Sequence, residues 1–168
     1  SVCDWSSDVC SSDLNYSFAG FINPMKAYNI TMNYRANFKP SSTGLGGDKS
    51  RLILSLSVYC ADTIEDAGKL AAPHVHMMQQ LSRGNFSTSW VSEEEAVASL
   101  GGFPESHMED PKVFPRYLIG TPQTLEKELL AVASAFDVDE ILIQCISSNH
   151  QNRLRCLKLL SETFELVS

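Results

Sequence analysis

Hydrophobic residues in the second half of the chain follow two spacings, one typical of helices and one typical of buried strands. Thr121 and Pro122 follow Gly120 and predict a helix start, because threonine caps helices and proline suits the first helical position. The apolar residues that come next recur on one helical face, and they are Leu125, Leu129, Val132, Ala133 and Phe136. We expect this face to pack on an apolar surface.

The segment that follows this helix reads as a buried strand and then a second helix. Residues 141–146 form an almost unbroken apolar run, in which Gln144 is the polar exception. Such a run is typical of a parallel strand that is covered on both faces. Ser147, Ser148 and Asn149 offer N-cap side chains for a helix over residues 150–164 whose apolar stripe is Leu154, Leu157, Leu160 and Phe164. Helix, buried strand and helix together predict an α/β fold.

The first half of the chain shows the same order of elements. Residues 16–22 predict a strand that carries aromatic side chains. Asn23 followed by Pro24 then predicts a helix start, and the expected apolar stripe of that helix is Met25, Tyr28, Met32 and Ala36. This is a first strand and helix unit.

A second strand is predicted over residues 52–61, where side chains alternate in character. One face is purely apolar, and the other carries Ser55, Ser57 and Tyr59. Because helices should cover the apolar face, we expect Tyr59 to face another layer or the lumen of a barrel. Tyr59 is therefore a candidate pocket residue.

Polar residues mark the starts of two further helices. Asp62 and Glu65 are spaced like a capping box ahead of a helix that ends at Gly84. Ser92 and Glu95 have the same spacing ahead of a short helix. Both pairs predict a structural role.

Composition and charge narrow the classes of function. The net charge is −7 and the pI is near 5.0, and no basic cluster suits nucleic acid or an anionic membrane surface. No apolar run approaches the roughly 20 residues of a spanning helix, and the beginning of the sequence does not resemble a signal peptide. The sequence predicts a cytoplasmic protein that binds neither nucleic acid nor membrane.

Cysteine and histidine positions do not predict a metal site. The five cysteines at positions 3, 10, 60, 145 and 156 include no CxxC pair. Cys60 and Cys145 fall in predicted strands, so we expect buried thiols rather than a nucleophile or a disulfide framework. His74 and His76 are two residues apart on a predicted helix, which points them in different directions and prevents them from sharing one ion.

Residues 1–14 differ from the rest of the chain. They are dominated by serine and aspartate, nearly repeat themselves and follow neither a helical nor a strand spacing. The segment resembles a translated sequencing adapter, which would mean that the natural protein is cut near Asn15; the alternative is a natural disordered tail. We expect the folded domain to span residues 15–168.

Five pieces of the sequence stand out in order: YSFAGFINP followed by YRANFKPS, then ADTIEDA, IGTPQTLEKEL, DEILIQC and HQNRLRCLKLLSETF. Together they resemble the carboxyl-terminal half of a luciferase-like (bacterial luciferase family) flavin-dependent monooxygenase. The resemblance implies a partial (β/α)8 TIM barrel, its carboxyl-terminal half, with parallel strands and flanking helices. It also implies reduced FMN, or alternatively a deazaflavin, as the cofactor.

The resemblance also selects site residues, because barrel enzymes place their sites at the carboxyl ends of the strands. These positions are Gly20, Phe21 and Asn23 after the first strand, Tyr59 and Cys60 after the second, and Ser147, Asn149 and His150 after the third. Phe18 lies with Phe21 where the family places bulky residues beside the flavin ring. The resemblance identifies no catalytic base and no metal ligand in this chain.

The function that the resemblance implies is oxidation of a small organic substrate by O2 and reduced flavin. Its implied partners are a flavin reductase and a second copy in a homodimer, and a half-barrel alone is expected to be inactive. One alternative is a non-catalytic flavin-binding protein of the same fold. Another is an inert half-barrel whose exposed strand edges favour self-association.

Overall fold

A computed structural model describes residues 15–40, 48–87 and 89–166. These residues form four strands, five α-helices and a short 3-10 helix at Pro111–Val113. The serine-rich segment 1–14 lies outside the described residues, and its origin stays a prediction. In chain order the elements are β1 (Tyr16–Ala19), α1 (Pro24–Asn37), β2 (Leu52–Cys60), α2 (Ile64–Ser82), α3 (Glu93–Leu100), β3 (Tyr117–Gly120), α4 (Pro122–Phe136), β4 (Glu140–Gln144) and α5 (His150–Thr163).

The four strands form one sheet in which β2 pairs with each of the other three. β1 is parallel to β2 with Tyr16 opposite Leu52, and β3 is parallel to β2 with Ser57 opposite Tyr117. Contacts between β4 and β2 advance in the same direction along both strands, from Asp139 at Leu52 to Gln144 at Ser57. The predicted α/β fold with parallel strands is confirmed.

The partial (β/α)8 barrel expected for this chain is not seen. In a barrel of repeated strand and helix units, each strand pairs with its neighbours in sequence, so β4 should pair with β3. The structure instead pairs β4 with β2. The pairing order depends on contacts between distant residues, and the apolar spacing within each strand does not specify it.

The contacts divide the described chain into two compact units. The first contains the described residues of the ranges 15–40, 48–56, 108–116 and 130–143, and its core includes Tyr34, Leu54, Phe114 and Phe136. The ring of Phe136 lies 5.6 Å from that of Phe114. Asp139 accepts a hydrogen bond from the backbone N–H of Leu52 at 2.8 Å and pairs with Arg35 at 3.3 Å. The Asp139 carboxylate therefore holds the backbone of Leu52, the first residue of β2, in place.

The second unit contains the described residues of the ranges 57–107, 117–129 and 144–166. Thr63 caps α2 by accepting from the N–H of Asp66, one residue later than the predicted Asp62 cap. The predicted capping box of Ser92 and Glu95 is confirmed at the start of α3. Gly68 lies on α2 where an added Cβ would come within 2.6 Å of the Pro104 carbonyl oxygen, so the segment after α3 packs directly on the α2 backbone.

The predicted apolar faces of the helices are partly correct. In α4, the predicted residues Leu125, Leu129, Val132 and Phe136 are buried, as expected. In α1 the predicted Met25 is 68% exposed, and the helix buries Pro24, Ala27, Thr31 and Tyr34 instead. In α5, Leu154 and Leu157 are exposed while the buried residues are Cys156, Leu159 and Leu160. Among the described residues, no helix is both long and apolar enough to cross a membrane.

Candidate functional site

A polar cavity of about 220 Å³ lies in the second unit, where β2 ends and α2 begins. The carboxyl ends of parallel strands are the usual location of ligand sites in α/β proteins. α5 contributes two side chains to the same cavity. Its polar lining residues are Cys60, Asp62, Asp66, Lys69, Asn152 and Arg155.

The two basic side chains of the cavity are already paired with carboxylates. Arg155 donates to both carboxylate oxygens of Asp62, at 2.9 and 3.1 Å from the same nitrogen. Lys69 lies 2.6 Å from a carboxylate oxygen of Glu94, and this hydrogen bond raises the pKa of Lys69 and lowers that of Glu94. The cavity therefore offers balanced ion pairs rather than free positive charge.

A buried carboxylate is hydrogen bonded to Asn152, one of the residues that line the cavity. Glu93 is only 4% exposed, and Asn152 donates to its two carboxylate oxygens at 3.1 and 2.9 Å. Ser147 lies within 3.3 Å of one of these oxygens. Because an unpaired buried carboxylate is costly, these donors explain how Glu93 is held between the starts of α3 and α5. They also fix the orientation of Asn152 at the cavity.

Tyr59 forms a second buried polar group in the same unit. Its hydroxyl lies 2.5 Å from Nδ1 of His74 on α2, and the backbone of Ile146 also hydrogen bonds to it. Burial raises the pKa of Tyr59 well above its usual range, so the phenol keeps its proton at neutral pH. The hydrogen bond from the Ile146 backbone acts in the opposite direction and lowers this pKa.

Aromatic rings surround this pair. The ring of Tyr117 lies 5.2 Å from that of His74 in an edge arrangement, and the half-exposed Trp90 lies 6.5 Å away. Tyr59 was predicted to face away from the helices, but its hydroxyl binds a side chain of α2. The reason is that helix side chains contact this mixed face of β2 as well, which alternation along the strand cannot reveal.

The four predicted site residues of the first unit lie around the end of β1. Phe18 and Phe21 are half-buried, and Asn23 is exposed and makes no side-chain cap to α1. Gly20 is buried where an added Cβ would come within 2.8 Å of the Phe114 ring and 3.1 Å of the Ser55 carbonyl oxygen. The structure therefore gives Gly20 a packing role, while a flavin role for these four residues stays a prediction.

Two predicted site residues of the second unit, Tyr59 and His150, are not brought together. Tyr59 is fully buried against His74, whereas His150 is exposed at the start of α5, with Nδ1 3.3 Å from Arg153. Neither residue lines the polar cavity.

Sequence reasoning selected Cys60, which lines this cavity, but missed the charged and amide side chains beside it. Asp62 was interpreted as a helix cap, although its position directly after β2 was itself a signal for a site. Arg155 and Asn152 on α5 gave no such signal, because their partners Asp62 and Glu93 are far away in sequence.

The described cavities do not fit FMN. Ligand pockets usually measure about 300 to 1,000 Å³, and the polar cavity is smaller than this. A second, open cavity of about 420 Å³ is lined by Glu65, Asp66 and Glu94 with one lysine. A flavin phosphate would meet carboxylates in both places, and the basic groups there are engaged in ion pairs.

Comparison with known proteins gives relatives of largely unknown activity. No protein-family model matches the chain. It is 30% identical over 156 residues to the uncharacterized protein YwcH of Bacillus subtilis (strain 168), covering 93% of this chain and 46% of YwcH. It is 25% identical over 151 residues to the uncharacterized protein YceB of the same organism, covering 90% of this chain and 44% of YceB. The chain thus spans about half the length of the curated relatives it matches.

Several solved structures resemble the chain, and two of them are described here. The crystal structure of apo-MsnO8 matches with a TM-score of 0.80 and 28% identity over 96% of this chain and 48% of that chain. The crystal structure of the monooxygenase RslO1 from Streptomyces bottropensis matches with a TM-score of 0.60 and 16% identity, over 96% of this chain and 44% of that chain. The second likeness shows the fold alone.

These findings correct the assignment made from the sequence. The chain was expected to be half of a luciferase-like barrel, and that assignment is wrong. Its structural neighbours include MsnO8 and RslO1, and the four strands of the described residues do not pair in barrel order. The flavin reductase and the homodimer followed from that resemblance alone and have lost their basis.

Proposed function

We propose that the protein is a monooxygenase that uses O2 to oxidise a small organic molecule. The observation that supports this most directly is the fold shared with RslO1, a named monooxygenase, over almost the whole described chain. Monooxygenases of any kind must activate O2, and proteins generally rely on a cofactor for that chemistry. We therefore include reduced FMN, with a deazaflavin as the alternative, as the proposed cofactor.

The aromatic surface at the end of β1 is the place we propose for the flavin ring. Phe18 and Phe21 are half-buried, so each presents part of an aromatic face while the rest is held by the first unit. Aromatic side chains stack on planar ligands with an offset geometry. This choice also avoids the carboxylates that line both described cavities.

Flavin binding tests the cofactor. The whole chain should quench FMN fluorescence in a titration, and Phe18→Ala combined with Phe21→Ala should weaken binding about tenfold, as expected for the loss of stacking worth about 1.4 kcal/mol. Phe86→Ala is a matched control, because Phe86 is 80% exposed and lies in the other unit. Equal loss in the control, or no FMN binding by the unaltered chain, would refute this cofactor site.

The rate of flavin oxidation and the transfer of labelled oxygen together test the reaction itself. Chemically reduced FMN is mixed with the protein and O2 under stopped flow, and the oxidation of the flavin is compared with that of free flavin. A monooxygenase should change this rate and transfer labelled oxygen from ¹⁸O2 to a small organic acceptor. Flavin that is bound but oxidised at the rate of free flavin, with no label transferred, would indicate the non-catalytic flavin-binding protein instead.

A further inference from the structure

The charged side chains that line the polar cavity balance one another. Asp62 and Asp66 are acidic, and Lys69 and Arg155 are basic. A ligand with a net charge would be attracted by one of these pairs and repelled by the other. A ligand that carries one positive and one negative group is attracted by both pairs. The lining of the cavity therefore favours a small zwitterion.

Acceptors for the positive group of such a ligand come from α2 and α5. The Asp66 carboxylate accepts from the Thr63 hydroxyl at 2.7 Å, and no basic side chain of the described residues forms an ion pair with it. Asn152 donates from its amide nitrogen to both oxygens of Glu93. Because a carboxylate only accepts, this nitrogen must face Glu93, and the amide oxygen is left to accept from a ligand. A carboxylate and an amide oxygen together suit an ammonium group, which has three N–H donors.

Donors for the negative group come from the two basic side chains. Arg155 binds Asp62 through Nε and Nη2, so the two N–H groups on Nη1 take no part in that ion pair. Lys69 has three N–H donors, and its ion pair with Glu94 requires one of them. Arginine in particular matches the geometry of a carboxylate. Both side chains can therefore bind a ligand carboxylate while they keep their ion pairs.

The volume of the cavity limits the size of the ligand. About 220 Å³ corresponds to roughly seven water molecules at about 30 Å³ each. An α-amino acid with a small side chain, such as L-alanine, has a similar number of non-hydrogen atoms. Ala61 and Leu70 complete the lining and offer apolar contacts to a short hydrocarbon side chain.

We infer that the polar cavity binds a small α-amino acid as a zwitterion. Its ammonium group lies at Asp66 and the amide oxygen of Asn152, and its carboxylate lies at Arg155 and Lys69. The buried Glu93, which is 4% exposed, keeps the Asn152 oxygen available. This inference goes beyond the proposed monooxygenase activity. Amino-acid binding is measured without flavin or O2, so either proposal can fail while the other holds.

Three related compounds test the need for both charges. Propionate is L-alanine without the ammonium group, and ethylamine is L-alanine without the carboxylate. In an NMR titration of the ¹⁵N-labelled whole chain, L-alanine should shift backbone amide signals near positions 60–70 and 150–156, and the shifts should saturate. L-alanine should bind at least about tenfold more tightly than either partial compound. The absence of saturable shifts with L-alanine, or equal binding of ethylamine or propionate, would overturn the proposal.

A variant of Asp66 tests the ammonium end of the site. Asp66→Asn removes one charge but keeps an oxygen that can accept from the Thr63 hydroxyl. It should weaken L-alanine binding at least about tenfold without weakening the binding of propionate, which lacks the ammonium group. Glu126→Gln is the matched control, because Glu126 is exposed on α4 in the same unit and lines neither described cavity. Equal losses in the two variants would indicate a general effect of net charge and contradict the site.

A variant of Arg155 tests the carboxylate end. Arg155→Gln should weaken L-alanine binding at least about tenfold without weakening the binding of ethylamine, which has no carboxylate. Arg153→Gln is the matched control on the same helix, since Arg153 is exposed and lines neither described cavity. Circular dichroism of each variant confirms that it is folded. If folded Arg155→Gln binds L-alanine as tightly as the Arg153→Gln control does, the carboxylate is not bound by Arg155 and the proposal is wrong.

Discussion

The hydroxyl of Tyr59 and the ring of His74 are buried together, and their hydrogen bond joins β2 to α2. The alternation along β2 correctly identified Tyr59 as a polar group on a mixed face. It could not identify His74, because a hydrogen bond between residues 15 apart depends on how the helix lies on the sheet. The pair was therefore only half predictable from sequence.

Replacement of Tyr59 tests this pair. Tyr59→Phe should lower the free energy of unfolding by about 1 to 3 kcal/mol, because the buried hydrogen bond between the Tyr59 hydroxyl and Nδ1 of His74 is lost. Tyr28→Phe is the control: Tyr28 is half-buried with its ring edge against Phe136, and it should change stability by no more than about 0.5 kcal/mol. Urea denaturation measures both. Equal effects would show that the His74 contact contributes little.

Gly20 illustrates a residue whose environment differs from the expected one. It was selected as a pocket residue, but the structure places Phe114 and the Ser55 carbonyl oxygen against it. Sequence alone could not show this, since Phe114 is brought there from a segment 94 residues later in a chain of 168 residues.

A methyl group at this position should be tolerated poorly. Gly20→Ala should cost about 1 to 3 kcal/mol, because its Cβ would overlap the Phe114 ring and the backbone oxygen cannot move away freely. Gly102→Ala is the control, since an added Cβ there meets nothing within 4 Å. Thermal melts of the two variants provide the comparison. An unchanged melting temperature for Gly20→Ala would contradict the close approach of Phe114.

At the scale of elements, the starts of helices were more predictable than their buried faces. The capping box of Ser92 and Glu95 is local chemistry, and it appears as expected. The faces of α1 and α5 were predicted from apolar spacing alone, but neighbouring elements select which face is buried. On α5 the small Cys156 is buried while the larger Leu154 is exposed.

The leucines of α5 allow a matched test of this difference. Leu160 is 3% exposed and Leu157 is 42% exposed, although both belong to the stripe predicted from sequence. Leu160→Ala should cost about 2 to 5 kcal/mol through lost burial and a cavity. Leu157→Ala should cost less than about 1 kcal/mol. If chemical denaturation gives similar losses for the two variants, the observed orientation of α5 is incorrect.

At the scale of the whole molecule, the sequence predicted parallel α/β structure but not the pairing of its strands. Apolar runs reveal which segments become strands, and they do so correctly for β2 and β4. The choice of partner depends on contacts far apart along the chain, and here β4 pairs with β2. The resemblance implied the strand order of a barrel, and the observed strand pairing differs from that order.

Net charge is a property of the whole molecule and predicts how it associates. At pH 7 the chain carries a net charge of −7, and its pI is near 5.0. Lowering the pH to 5 should remove this repulsion and promote association, because large apolar side chains such as Met25 and Phe86 are exposed. Dynamic light scattering between pH 8 and pH 5 should show particle size rising near the pI. A constant size across this range would contradict the prediction.

The contact at Gly68 has a consequence for how the protein can vary over generations. The carbonyl of Pro104 and the Cβ of Phe103 lie where a side chain at Gly68 would stand, so that segment rests on bare helix backbone. Substitutions that leave the backbone of this segment in place can therefore be accepted during evolution. Residue 68, in contrast, must remain glycine for as long as the segment packs on α2.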